Sequence, residues 1–411
     1  MDDSRRTTQL MSRTALRRAM PAQALIIFAM ASLILVGAMA LGTDAGYLMA
    51  ERRQVQTAAD AAALAAAKAA MDSRSSTEVL ATGQSFGAFN AGVATSNVTV
   101  NRPPTSGAYA GNSNYIQVTI TKDVSRFFVG AIYTGAWSVS ATATAGIETL
   151  PGNYALIALE RTATDGIYLN GNTGIIISGG GGAMANSNIR GSNNTSFTVG
   201  ASIDANSTIQ QGSGWVAPNG INPGRPEIDD PLAAVPVPPK GTPRTFPSCN
   251  SGCTLQPGWY RNQSLTVRGT ATLMPGLYYF ENTDIDLQNT NASIVCSGCM
   301  TYWDANSSLD PKNGDVNMTA PTTAPYTGGQ TGMVFWHAGC NNLDLQGNGN
   351  LYFQGIFYAP CALVTLHGNP ASDTINGQII VDQLDIRGTS DVRITYHSYV
   401  TTSRPAIFLV E

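Results

Sequence analysis

The five-residue unit Leu265-Thr266-Val267-Arg268-Gly269 is the first clear copy of a short repeat in this chain of 411 residues. In each copy two apolar residues flank one other residue, and a glycine or asparagine closes the unit. The further copies are Ile285-Asp286-Leu287-Gln288-Asn289, Leu343-Asp344-Leu345-Gln346-Gly347, Val364-Thr365-Leu366-His367-Gly368 and Leu384-Asp385-Ile386-Arg387-Gly388. Successive copies lie 20 or 21 residues apart, apart from one gap of 58 residues that is close to three such steps.

A repeat of this length is typical of a parallel β-solenoid, in which each coil adds a strand with alternate side chains inside. Glycine and asparagine tolerate the left-handed backbone at the corners. No coil buries its own apolar face, so the coils must stack. We therefore expect a mainly β chain with a right-handed parallel β-solenoid over residues 151–411. A β-sandwich, whose strands also recur at intervals, is the alternative.

The chain has six cysteines, all beyond residue 248, and their spacing bears on the solenoid register. Cys340 and Cys361 are 21 residues apart, so they would sit one above the other, about 4.8 Å apart, within reach of a disulfide. We predict this bridge, with Cys249–Cys253 and Cys296–Cys299 as local clamps, among 15 possible pairings. A zinc site at Cys296 and Cys299 is the alternative.

Acidic residues recur at one position of the repeat. Asp286, Asp344 and Asp385 each stand between two inward residues, so they form a candidate ligand stripe for cations or sugar. Many parallel β-helices cleave acidic polysaccharides with clustered carboxylates, which makes such an enzyme one alternative. Outward residues of strands are expected to be polar in any case. Because the sequence has no catalytic triad, nucleotide loop or metal motif, we predict no enzyme, catalytic residue, cofactor or metal.

Two segments interrupt the repeat. Residues 217–247 contain nine prolines, which cannot donate to a β-ladder. They predict an extended loop on the side of the solenoid, or a hinge that divides it. A second insertion is expected over Tyr302–Gly329.

Ahead of the solenoid, residues 73–150 predict a small α+β domain that serves as a spacer or docking module. The patterns predict helices over Glu78–Asn90 and Val124–Tyr133 and strands over Val98–Val100, Tyr115–Ile120 and Trp137–Ala145.

The N-terminal region carries an uncharged stretch, Ala19–Thr43, preceded by the arginines Arg5, Arg6, Arg13, Arg17 and Arg18. A membrane helix needs about 20 apolar residues, and the arginines favour a cytoplasmic N-terminus. We predict a cytoplasmic tail over 1–21, a transmembrane helix over 22–43 in contact with the lipid bilayer, and an Ala-rich periplasmic helix over 44–72. A cleaved signal at Ala38-Met39-Ala40 is the alternative.

The Ala-rich helix has a face of small residues, formed by Leu48, Val55, Ala59, Ala62 and Ala66. Such a face packs closely against another helix. That helix belongs either to an assembly partner or to the protein's own periplasmic domain.

The order of arginines, apolar block, Asp44-x-Gly46-x-Leu48 and Gln56-Thr57-Ala58-Ala59-Asp60-Ala61-Ala62-Ala63-Leu64 resembles TadE/TadG-like proteins of Flp (Tad) pilus assembly. The resemblance covers residues 15–70 and fades across 71–148. It implies an inner-membrane anchor, a periplasmic body and a role in pilus biogenesis. The chain lacks the prepilin processing pattern and the Asp-x-Ser-x-Ser metal motif found in many TadG proteins.

Composition agrees with an exported β-rich chain, since only 12% of residues are charged and glycine is abundant. The net charge of −4 offers no basic field for nucleic acid. The sequence thus predicts a non-enzymatic, single-pass protein of the bacterial inner membrane, with pilus-assembly proteins or pilin as partners. A secreted or surface adhesin is the first alternative, and a polysaccharide-processing β-helix enzyme is the second.

Overall fold

The computed structural model describes residues 4–72, 74–131, 134–192, 194–346, 349–368, 373–389 and 391–410, with side chains from residue 24 onward except those of 346, 368 and 373. The chain forms two compact units. The first comprises residues 1–148 together with 405–411, and the second comprises residues 149–404. The sequence predicts that the solenoid runs to residue 411, whereas the last residues group with the first unit, because the final strand joins its sheet.

The first unit contains two helices and a four-stranded sheet. The helices are α1 (Ser4–Met71) and α2 (Ser76–Ala91), and the strands are β1 (Val98–Asn101), β2 (Tyr115–Asp123), β3 (Ser138–Gly152) and β28 (Thr402–Leu409), in the order β1-β2-β3-β28. Single 3₁₀ turns occupy Thr95–Asn97 and Val129–Ala131. The predicted helix over Val124–Tyr133 is wrong in its described part, where only the second of these turns is helical.

Helix α2 begins and ends at clear sequence signals. Ser75 and Glu78 form a reciprocal capping box at its start, and Gly92 ends it in the left-handed conformation with φ of 66°. Gly83 and Gly87 let α2 approach its neighbours closely. A Cβ at Gly87 would stand 2.9 Å from Val98 and 3.4 Å from Ala62.

The alanine face of α1 is buried inside the first unit. The residues Val55, Ala58, Ala59, Ala62, Ala63, Ala66 and Ala67 are at most 1% exposed. They pack in one core with side chains of α2, β1, β2 and β3. This face therefore packs on the protein's own domain, and its interpretation as a surface for a partner helix is wrong.

The second unit is a parallel β-solenoid, as the repeat predicts. Its strands are β4 (Tyr154–Ala158), β5 (Ile167–Gly171), β6 (Gly174–Ser178), β7 (Gly182–Ala185), β8 (Ile189–Gly191), β9 (Ser196–Thr198), β10 (Ile203–Ala205), β11 (Ile209–Gln210), β12 (Gly214–Val216), β13 (Ile221–Asn222), β14 (Pro243–Arg244), β15 (Cys253–Leu255), β16 (Gly258–Val267), β17 (Thr270–Leu273), β18 (Gly276–Leu287), β19 (Ser293–Ser297), β20 (Cys299–Trp303), β21 (Ser308–Asp310), β22 (Asp315–Thr319), β23 (Met333–His337), β24 (Leu343–Gln346), β25 (Leu351–Gly368), β26 (Asp373–Gly388) and β27 (Asp391–Tyr396). Their pairings are parallel and build about ten coils. The β-sandwich alternative is therefore wrong.

The repeat units lie in register on neighbouring coils. Leu265 pairs with Ile285, and the series Leu343, Val364 and Leu384 forms one inward row. These apolar residues are 4% exposed or less. Aromatic rings continue the interior, for example Phe335 and Phe357, whose ring centroids are 4.7 Å apart and nearly parallel. Burial of this apolar interior, aliphatic and aromatic together, is the main source of the solenoid's stability.

The coils are not stacked in chain order. Strands β4–β13 build from the middle of the stack toward one end, since β4 pairs with β7 and β7 pairs with β10. Strands β14–β27 begin at the other end and build back. The stack closes in its middle, where β26 pairs with β4 and β5, and β27 pairs with β6.

The proline-rich segment links the two ends of the stack. We call residues 223–242, which contain no strand, the strap. The strap starts beside the β10 coil, where the Arg225 N–H donates to Ala205 O at 2.9 Å, and ends at Lys240, which lies 2.9 Å from Glu281. Seven coil spacings of about 4.8 Å separate the β10 coil from the coil that holds Glu281, or about 34 Å. The 15 residue steps reach about 47 Å as polyproline II, so an extended strap spans the distance. The expected extended loop is present, and no hinge is needed.

The strap covers an outward row of large side chains that runs the length of the stack. We call this row the outer ladder, and it consists of Trp259, Tyr279, Tyr302, Trp336, Tyr358, Ile380, Ile157 and Met184. Ile228 and Leu232 of the strap are buried against it. Asp230 accepts a hydrogen bond from Tyr358 Oη at 2.6 Å.

The second predicted insertion is shorter than expected. Tyr302–Gly329 contains part of β20 and all of β21 and β22, so the longest stretch without a strand is residues 320–332. Ile285 pairs with Leu309, and β21 neighbours β24. The gap of 58 residues therefore holds one additional coil with an enlarged loop.

Candidate functional site: the exposed apolar helix and the carboxylate stripe

The N-terminal half of α1 exposes apolar side chains on all sides. The large apolar residues from Leu25 to Leu41 are 57–76% exposed. A helix that is apolar all round belongs inside a protein core or a membrane, and this one is not covered by protein. Among the described residues, α1 is the one helix long and apolar enough to cross a bilayer. The predicted arginine tail lies outside the residues whose side chains are described.

Asp44 ends the apolar stretch and is itself buried, with 1% exposure. Its carboxylate accepts hydrogen bonds from the backbone N–H groups of Phe127, Phe128 and Val129 at 3.1, 2.9 and 2.6 Å. These bonds, that from Val129 above all, hold the pKa of Asp44 below its usual value. Asp44 thereby ties the start of the packed part of α1 to the segment between β2 and β3.

The other residues that carry the family resemblance also have structural roles. Gln56 Nε2 donates to Asp60 Oδ1 at 2.8 Å, one helical turn away, and lies 3.4 Å from Thr142 O on β3. Leu48 packs against the core of the first unit. The residues of the motif therefore lie where α1 changes from its exposed stretch to the part that packs in the first unit.

The structure places Asp286, Asp344 and Asp385 in one outward row, as the repeat predicts, but on alternate coils. Thr365 stands between the last two, and Asp310 is paired with Asp286. Two coil spacings separate neighbouring members, or about 10 Å.

Each acid of the stripe has a basic side chain beside it. Asp286 lies 3.3 Å from Lys312, Asp344 lies 3.6 Å from His367, and Asp385 accepts from Arg387 Nε at 2.8 Å. Asp385 is also buried. The geometry is that of charge pairs along a solvated face, which contribute little to stability where they are exposed. A ligand role for the stripe stays a prediction.

The six cysteines form three disulfides in the pairs expected from their spacing. Cys340 and Cys361 link neighbouring coils with a Cα–Cα distance of 4.6 Å. Cys249–Cys253 and Cys296–Cys299 are local, at 4.9 and 6.1 Å. In the part of the chain that the structure describes, no group of three His, Cys, Asp or Glu side chains could hold a metal. The structure pairs Cys296 with Cys299, whereas a zinc site would need both as free thiolates.

Sequence reasoning missed two parts of these surfaces. The partner of Asp44 lies more than 80 residues away, and nothing local to Asp44 indicates it. The outer ladder was also missed, although its alternating aromatic residues could have been found by aligning the strands.

The fold defines a class of protein with an exposed N-terminal apolar helix, a small α+β unit and a C-terminal β-solenoid. Residues 22–70 match the family model "Putative Flp pilus-assembly TadE/G-like", so the N-terminal segment is similar to the TadE/G-like family. Residues 248–402 match a second model, "Domain of unknown function (DUF7305)", which covers the coils from β15 onward. Neither the curated proteins nor the solved structures provide a match.

Proposed function

We propose that this chain is a non-enzymatic component of Flp pilus assembly, anchored in the bacterial inner membrane through residues 22–43. The observation that carries the proposal is the coincidence of two independent features. The TadE/G-like match covers residues 22–70, and within it the large apolar side chains from Leu25 to Leu41 are 57–76% exposed. The first half of the matched segment is therefore an apolar helix that protein leaves uncovered, and its second half packs in the first unit.

The orientation follows from charge. Five arginines precede the apolar stretch, and cytoplasmic flanks of membrane helices are rich in arginine and lysine. The N-terminal tail, residues 1–21, then stays in the cytoplasm, while the Ala-rich helix over 44–72, the α+β domain and the solenoid lie in the periplasm. Three disulfides suit that oxidising compartment.

The periplasmic solenoid acts as a rigid surface for pilin or for other pilus-assembly proteins. Parallel coils tied by backbone ladders, by the strap and by Cys340–Cys361 resist bending more than a loop-rich domain does.

Gene replacement in the host tests this proposal. Cells that lack the gene should lose surface pili, counted by electron microscopy, and full-length protein should restore them. A variant with Leu33→Arg and Ile34→Arg should not, since each arginine at the centre of a membrane helix costs about 3 kcal/mol of insertion free energy. The matched control is Met49→Arg, an equally exposed position beyond Asp44, which should restore pili.

Other outcomes would redirect the assignment. Normal pili in cells without the gene would contradict a role in assembly. If those cells attach weakly to surfaces, the adhesin becomes the better assignment. If the variant with two arginines restores pili and is found in the medium, the anchor is not required.

A further inference from the structure

The segment between β2 and β3 is fixed at the end of the apolar stretch of α1. We call residues 125–131 the β2–β3 loop. Three consecutive N–H groups of this loop bind Asp44, which directly follows the apolar residues. Ala40 lies one helical turn before Asp44 on the same face and is partly buried, whereas Met39 and Leu41 are exposed. The β2–β3 loop is therefore held against the last turn of the apolar stretch.

The loop exposes two adjacent aromatic side chains at this level. Phe127 is 58% exposed and Phe128 is 53% exposed. Phe127 makes one edge contact with Tyr47, at 5.1 Å between ring centroids, and neither phenylalanine belongs to the core of the first unit. A single exposed phenylalanine needs no explanation. Two of them beside an apolar helix form a continuous apolar surface, and such surfaces mark interaction sites.

We propose that the β2–β3 loop inserts Phe127 and Phe128 into the interfacial layer of the bilayer that α1 spans, where headgroups meet acyl chains. The occupant of this surface is lipid, because the loop that exposes the two rings is bonded to Asp44, which directly follows the exposed apolar stretch of α1. Aromatic rings are favoured at this depth. The inference rests on the proposed membrane anchor and adds a second contact to it.

A second contact has a mechanical consequence. A single helix leaves the attached unit free to tilt about the membrane normal. A loop that enters the same leaflet and is tied to α1 through Asp44 restricts that tilt. The first unit then presents a fixed face to its partners in the membrane plane.

Fluorescence quenching in vesicles tests the proposal. The full chain carrying Phe128→Trp is reconstituted into phosphatidylcholine vesicles whose acyl chains are brominated near the headgroup. The wild-type chain sets the background, because it has five tryptophans of its own. Relative to it, the variant should gain emission at shorter wavelength than in water, and the brominated lipid should quench that added emission. Phe127→Trp is measured in parallel, with helical circular dichroism as the check on folding.

The matched control is Phe89→Trp on α2, where Phe89 is 87% exposed. The neighbouring Gly87 packs near Ala62, which lies 18 residues along α1 from Asp44, or about 27 Å. This tryptophan should not be quenched by brominated lipid.

Flotation of the vesicles separates the two proposals. If the protein floats with the vesicles but neither loop tryptophan is quenched more than the control, the lipid contact is overturned and the anchor stands. If the loop tryptophan emits at shorter wavelength without quenching, protein covers it, which also overturns the lipid contact. If the wild-type chain does not float, the anchor fails and the loop proposal fails with it.

Discussion

Asp44 is the residue on which the junction between the exposed and packed parts of α1 depends. Its buried carboxylate satisfies three backbone N–H groups, and hydrogen bonds to a charged acceptor are stronger than neutral ones. We predict that Asp44→Asn lowers the unfolding temperature of the first unit at pH 7. Thermal unfolding of the detergent-solubilised chain, followed by helical circular dichroism, measures this, because both helices of the described residues lie in that unit.

The effect of Asp44→Asn depends on pH in a known direction. The folded pKa of Asp44 lies below its ordinary value of 3.8, so the folded state favours the charged form. Its contribution is complete above the unfolded pKa and is lost as pH falls through the folded pKa. The gap between wild type and variant should therefore shrink below about pH 4. Asp72→Asn, at an exposed site, is the control, and an equal loss in both variants would contradict the prediction.

Single residues show where sequence reasoning succeeds and where it fails. The disulfide between Cys340 and Cys361 could be predicted because the two residues are one coil apart in sequence. In a stack of coils, such residues lie one strand spacing apart. The spacing of 20 between Gly171 and Gly191 suggests the same relation, but Gly171 pairs with Gly388. Gly191 pairs with Leu169, 22 residues earlier, since this coil is longer. The period therefore fixes register only where the coils have equal length.

Among the elements, the strap is the one whose role depends most on a few side chains. Leu232 is almost fully buried against the outer ladder, whereas Val237, five residues on, is largely exposed. We predict that Leu232→Ala costs about 2–5 kcal/mol of local stability, whereas Val237→Ala changes it by about 0.5 kcal/mol or less. Amide hydrogen exchange of residues 223–242, read by mass spectrometry, should accelerate only in the first variant. Equal exchange in both variants would mean that the proline-rich backbone, and not the buried leucine, holds the strap in place.

The elements that were predicted well are those with a strong local signal. Helix α2 has its capping box and the strands have alternating apolar residues. The prediction of a helix at 124–133 was wrong because it used only the local apolar pattern and did not include the contact with Asp44. The loop amides of residues 127–129 donate to a carboxylate on another element, so the chain there does not need helical hydrogen bonds.

At the scale of the whole molecule, the repeat predicts a stack but not the order of its coils. Every coil presents similar inward rows of apolar side chains. A coil can therefore bury these rows against any other coil, whether or not that coil is its neighbour in sequence. What decides the order is the strap, whose length allows the chain to return to the far end. Its prolines indicate an extended segment, but no local feature indicates where the segment leads.

The coil order is open to a direct chemical test. Ser178 on β6 and Thr395 on β27 are exposed, paired in register and separated by 217 residues, with their hydroxyl oxygens 3.4 Å apart. We predict that Ser178→Cys and Thr395→Cys together form a disulfide on mild oxidation, because paired strands hold Cα atoms about 4.8 Å apart. Closing so long a loop should raise the free energy of unfolding by up to about 5 kcal/mol. A faster-migrating band on a non-reducing gel reports the crosslink.

The control is a second pair of cysteines, which should not form a disulfide. Asn222 and Pro243 flank the strap and lie in the same row of the stack, so they would be neighbours if the coils were stacked in chain order. In this structure they lie at opposite ends of the stack, because β13 pairs with β10 while β14 pairs with β16. Cysteines at these two positions should remain unlinked within one molecule. A crosslink there, together with none between positions 178 and 395, would show that the coils follow the sequence. The strap would then be a surface loop with no part in ordering the stack.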